Sequence, residues 1–364
     1  MLQELPDARP ATWMDTATSY ENRTHWGDLI IENGTYLIEN MEFHLFGKLS
    51  VRHEATVVAR DATFVLSPEG GVSYREAIVL EHESRFIAEN LTVVFQPLSY
   101  SACYIVVDDE AQLNIADSQL SGWGHIIARH HATVYMENGT LESLKPEFEG
   151  SGVIAEDNAF ARVQNSKLDV AGARGESSIL ILNSIVQPEG AFASGKGTVE
   201  IENSDVGYSE ELRESSTLRI ADSTIDGMSL GGGVLHVHDS QIRYSVRISG
   251  DCTAWFIGTM IPHVSAQGNS TVWLINSAAK EIKTFDEARV NVGWQLPVLG
   301  TFTVPHTWVP ILQAVFIMVA LLVIITILVL VNKQWKRWRT KKMGRGAISA
   351  RAERRCLTNS FENL

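Results

Sequence analysis

Apolar and polar residues alternate in short runs along most of this chain, and the runs end in the same way. The pattern is clearest in ILILNSIV (179–186), VEIENSDV (199–206), LRIADSTI (218–225), LHVHDSQI (235–242) and VWLINSAA (272–279). LNIADSQL (113–120), VYMENGTL (134–141) and ARVQNSKL (161–168) share it, and looser copies centre on Asn40, Asp61, Asn90 and Gly258. Apolar residues four and two positions before the Asn or Asp alternate with exposed ones, which predicts a strand with one buried face. Asn and Asp are the non-glycine residues that best tolerate left-handed backbone, and their side chains bond neighbouring peptide groups. An apolar residue three positions later points inward again. Each copy therefore predicts strand, corner, strand.

Twelve copies follow one another at intervals of 17 to 29 residues. One copy cannot bury its own apolar face, but a stack of copies buries each other's. With Asn165, Asn183, Asn203, Asp222, Asp239 and Asn276 as a corner ladder, the chain resembles the right-handed parallel β-helix repeat proteins of pectin-lyase-like architecture. The resemblance covers residues 28–280. It implies an all-β solenoid of about twelve coils, roughly 55 Å long at ~4.8 Å per coil. Leucine-rich repeats would need a denser leucine consensus, and a β-sandwich would not repeat one corner residue.

A different pattern follows. Residues 309–331 read VPILQAVFIMVALLVIITILVLV, without a charge. At about 1.5 Å per residue they make a helix ~35 Å long, enough to cross a hydrocarbon core of ~30 Å. Trp308, Trp335 and Trp338 flank it, as suits indoles at the two interfaces. The implied order is an N-terminal arm or cap (1–27), the β-helix (28–280), a C-terminal cap and juxtamembrane segment (281–307), a transmembrane helix (308–332) and a basic tail (333–364).

Charge then sets an orientation. From Asn332 onward there are ten Lys/Arg and two Asp/Glu, a net of +8. The whole chain holds 30 and 43, so the first 331 residues hold 20 and 41, a net of −21. Basic flanks stay on the cytoplasmic side, which places the acidic rod outside the cell. Such a rod repels phosphate, so nucleic acid is not an expected partner. The opening MLQELPDARPATW shows neither the basic nor the apolar region of a signal peptide. Cys103, Cys252 and Cys356 are too few and too scattered for a disulfide framework or a thiolate metal site, and no cofactor or metal is expected. Five glycosylation sequons, at Asn22, Asn33, Asn90, Asn138 and Asn269, agree with an exterior rod.

Candidate chemistry concentrates in two places. The longest intervals come from insertions at 68–83, 96–110 and 142–157, and insertions in a solenoid map to loops, often on the binding face. They bring Tyr74, Tyr100 and Tyr104 near Trp123 and His125, aromatic and polar groups that suit sugar or protein binding. The second place is the C-terminal end of the rod, where Trp255, Ile257, Trp273 and Ile275 would form an outward apolar patch. Either residues 288–303, with Trp294, fold back over it as a cap, or a partner docks there.

Relatives of this architecture cleave acidic polysaccharides, so the resemblance also implies a carbohydrate-active alternative that would use Asp108, Asp109 and His125 or His131. A hydrolase needs two carboxylates roughly 5–10 Å apart. Asp108 and Asp109 are consecutive, and on a strand they would point to opposite faces. The glycine–histidine–glycine signature of polygalacturonases is absent, because Ile126 follows Gly124-His125. The expectation is a membrane-anchored, non-catalytic surface protein, either a binding or adhesion element or a structural part of the envelope, that engages glycan or protein through its membrane-distal loops.

Overall fold

The computed structural model describes residues 22–67, 74–96, 102–122, 124–143, 150–296 and 300–305, together with Met318. Tyr100, Trp123, nearly all of the 308–332 span and the whole 333–364 tail lie outside these residues. No helix among the described residues is long and apolar enough to cross a membrane. The described chain up to Thr303 belongs to one compact unit.

That unit is a parallel β-solenoid of about twelve turns, built as a 14-stranded and a 20-stranded sheet. The predicted phrases form the 14-stranded sheet. Ser178–Leu182 pairs residue for residue with Thr198–Glu202, which pairs with Thr217–Ala221, and Thr217–Ala221 with Val234–His238, all in parallel and without a slip. Inward side chains such as Ile179, Ile181, Val199, Ile201, Leu218 and Ile220 are buried, while their neighbours face out. A slip of one residue would exchange the two faces, so the alternating pattern itself holds the register.

The corner after each of these strands is left-handed at every turn. Asn40, Asp61, Asn90, Asp117, Asn138, Asn165, Asn183, Asn203, Asp222, Asp239 and Asn276 have φ between 46° and 52°, and Gly258 has φ 61°. At six of these twelve corners the next residue is a buried Ser, which explains why the pair Asn-Ser or Asp-Ser recurs. The Ser204 hydroxyl donates to the Glu202 carbonyl at 2.8 Å and accepts the Ser184 N–H of the preceding turn at 3.1 Å. Ser166, Ser184, Ser223 and Ser240 make corresponding bonds. The column satisfies buried amides that no strand reaches. Because Ala lacks the tolerance for left-handed backbone, Asn183→Ala is expected to cost about 1–2 kcal/mol in equilibrium unfolding. Asn183→Gly should cost less, and equal losses would refute a conformational role for this corner.

A second left-handed corner precedes the same strands. It holds His53, His82, Asp109, His130, Asp157, Gly175, Gly195, Glu214, Gly250, Gly268 and Asp286, with φ from 54° to 72°. Two residues later stands a small side chain, as in Ala55, Ala111, Ala132, Ser177, Gly197 and Cys252. The chain re-enters the core there, where nothing larger fits. Cys252 thus serves as a buried small residue, and its thiol is pushed up to about 12 by burial.

The 20-stranded sheet takes the chain from the first corner to the second, often as two strands per turn, for example Glu42–Phe46 and Leu49–Arg52. The extra residues of the long turns fall between such strands. Within the early turns Phe43, Phe64 and Phe86 pack edge-to-face at 5.6 and 6.2 Å between ring centres. At the far end, Arg289–Leu296 pairs in parallel with Thr271–Ile275, Arg289 opposite Thr271. This part of the 288–303 segment is therefore a further rung that extends the sheet, and it does not fold back across Trp255 and Trp273.

Candidate functional site

The solenoid places the candidate residues one rung, about 4.8 Å, apart. Tyr74 opens the strand Tyr74–Leu80. Tyr104 lies opposite His125 on adjacent strands, with ring centres 5.7 Å apart. His125 is only 7% exposed, and its Nδ1 has no hydrogen-bond partner among the described residues. Burial first, and Arg174 second, push its pKa down to about 4. It is a buried, neutral imidazole rather than an exposed loop group.

Asp108 and Asp109 do not point to opposite faces, because the strand Ala102–Val107 ends just before them and the chain turns. Their carboxylates and the His130 imidazole offer ligand atoms within 4.8 Å of one another. His130, not His131, joins the pair: it occupies the left-handed corner one rung beyond Asp109, and its Nδ1 bonds the Asp108 carboxylate. His125 stands five residues earlier, roughly 16 Å along an extended chain. Asp108, Asp109 and His130 could hold a divalent cation by donor type. Yet Asp108 Oδ1 already engages His130 and the Asp109 N–H, and Asp109 and His130 are exposed.

The hydrogen bond to Asp108 raises the His130 pKa above its ordinary 6.5. Its ring protons should titrate in NMR with a midpoint above that value, and Asp108→Asn should bring the midpoint down. The pairing favours the fold below the unfolded-state value and is lost as pH rises through the higher folded value. An unchanged midpoint in Asp108→Asn would dissolve the proposed pair.

The residues that sequence patterning passed over form a groove of about 450 Å³ on the outer face of the 20-stranded sheet, lined by Val170, Glu189, Phe192, Tyr208 and Glu211 among others. Glycines on neighbouring rungs make it possible. A Cβ on Gly172 would lie 1.9 Å from Phe192 Cζ, and one on Gly227 would lie 2.6 Å from Tyr208 Cε2. Each ring thus lies along the sheet over a neighbouring strand that carries no side chain there, Phe192 toward the preceding turn and Tyr208 toward the next. The Arg174 guanidinium sits 5.1 Å from the Phe192 ring centre and pairs with Glu156 at 3.2 Å. Glu189 accepts the Gly150 N–H at 2.7 Å, and Glu211 pairs with Arg213 at 2.6 Å. One Asp169 oxygen accepts the amides of both Ser143 and Ser151, at 3.1 and 2.9 Å.

On the outer face of the 14-stranded sheet, Trp255 and Trp273 face each other across adjacent strands, as do Ile257 and Ile275. All four are half-buried. The His236 ring stacks on Trp255, with centres 4.6 Å apart and planes 4° apart. Burial, and then Arg219, lower the pKa of His236. Because the His236 ring lies flat against one face of Trp255, that face is covered and suits sugar stacking poorly. A hollow of about 290 Å³ beside them is lined by Glu200, Arg219, His236 and His238. No protein-family model, curated protein or solved structure matches this chain significantly.

Proposed function

We propose that this chain is a membrane-anchored surface protein of the right-handed, pectin-lyase-like kind that binds glycan without cleaving it. In this reading the acidic solenoid stands outside the cell, residues 308–332 cross the bilayer, and 333–364 form a cytoplasmic tail. The observation that carries the binding role is the groove between Phe192 and Tyr208. Two aromatic rings laid against a rigid sheet, beside acceptor oxygens of Glu189 and Glu211, match the apolar faces and hydroxyl rims of sugar rings. Sheet backbone under the rings keeps them in place before a ligand arrives, which lowers the entropy cost of binding. The anchor rests on the uncharged 23-residue segment and its basic flank. Asp108 and Asp109, the carboxylates of the carbohydrate-active alternative, line neither this groove nor the hollow beside His236.

Protease treatment of intact cells tests the placement: the solenoid should be digested while an epitope on the tail survives. Survival of both would overturn the exterior reading. Binding of the solenoid to an immobilised glycan panel tests the role. Tyr208→Ala and Phe192→Ala should each weaken binding about tenfold or more, corresponding to roughly 1.4 kcal/mol. Full binding by both variants would exclude the groove.

A further inference from the structure

Resting on the reading of the groove as a sugar site, we infer that its ligand carries free amino groups: a glycan of deacetylated hexosamines rather than of uronic acids or neutral sugars. The charges at the groove point this way. Its titratable lining residues are Glu189, Tyr208 and Glu211, and neither Lys nor Arg is among the described lining residues. The two nearby guanidinium groups are already committed. Arg174 bonds Glu156 and lies over Phe192, and Arg213 bonds Glu211. Glu189 has a different partner. Its bond to the Gly150 N–H satisfies one oxygen but supplies no positive side chain, and among the described residues no Lys or Arg pairs with this carboxylate at the groove wall.

A ligand ammonium answers both features of the groove. It neutralises Glu189, as a charge-assisted hydrogen bond does, and it is attracted to the face of a tyrosine ring. A uronate meets the opposite situation. It would bring a second carboxylate beside Glu189 and Glu211, on a region of net charge −21 over the first 331 residues. An N-acetylated sugar keeps the stacking but loses the charge pairing. The inference thus separates stacking, which any pyranose can provide, from the charge selection that Glu189 adds.

The probes are three oligosaccharides of matched length: oligoglucosamine, its fully N-acetylated counterpart, and oligogalacturonate. Titration calorimetry on the full chain in detergent at low salt should show oligoglucosamine binding at least tenfold more tightly than the acetylated form. Oligogalacturonate should bind weakest. Glu189→Gln keeps an oxygen for the Gly150 amide, so thermal melting should confirm that it folds. It should abolish most of the preference for the amine over the acetylated form. Raising the salt concentration should shrink the same preference in the wild type, since the pairing lies near solvent. Equal or tighter binding of the acetylated form, tighter binding of the uronate, or an undiminished preference in Glu189→Gln would each overturn the inference while leaving a sugar site intact. Failure of all three probes, together with failure of every glycan on the panel, would instead remove the sugar site itself and the inference with it.

Discussion

Phe64→Ala is expected to destabilise the solenoid by about 3–5 kcal/mol, the usual range for removing a fully buried phenylalanine. Phe64 is fully buried and packs edge-to-face against Phe43 on the preceding turn and Phe86 on the following one. Strands held in parallel register above and below cannot close in on the void, because each is bonded to a further turn. The cavity therefore persists, and lost contacts add to lost burial. Urea unfolding followed by far-ultraviolet circular dichroism measures the effect. Phe64→Leu, which fills more of the space, should lose much less. A loss below about 1 kcal/mol in Phe64→Ala would mean that these turns relax around the gap, and the rigid-rung account would then be wrong.

Acid should weaken the fold through His125. With a folded-state pKa of about 4 against an ordinary 6.5, the folded protein resists a proton that the unfolded chain accepts. Above 6.5 both states are neutral there and the residue adds no pH dependence. As pH falls from 6.5 toward 4 the unfolded state gains protons first, and stability drops by up to roughly 3 kcal/mol. His236 works in the same direction, since its pKa is also lowered. Only the difference between wild type and His125→Gln isolates the buried group. Urea midpoints at pH 7 and pH 4.5 should fall further for the wild type than for the variant. Parallel curves would show that the imidazole is hydrated, and the buried placement of His125 beside Tyr104 would have to be abandoned.

Much of the solenoid can be read directly from the chain, because its two main constraints are local. Alternating burial specifies which residues face in, and a residue that tolerates positive φ specifies where the strand must end. Gly258 could be placed in the same column as Asn203 or Asp239 for that reason: its identity differs, but its backbone requirement does not. The second corner escaped because His, Asp, Glu and Gly share it, and no single residue type marks it. The signal present was the small residue two positions later, in Ala55, Ala111, Ala132 and Cys252. Candidate groups near His125 were legible only in part. The turn after Val107 reverses the expected parity of Asp108 and Asp109 and selects His130 over His131.

What the sequence determined by itself, then, is the winding: a strand, a left-handed corner and a strand, repeated until each apolar face finds a neighbour. Only the tertiary structure decided the groove. Phe192 needs Gly172 twenty residues earlier, and Tyr208 needs Gly227 nineteen residues later. Neither spacing stands out among turns of unequal length. Those partners meet because hydrogen bonds between successive turns set which residues stack, and that register is a property of the assembled coil rather than of any one stretch of chain.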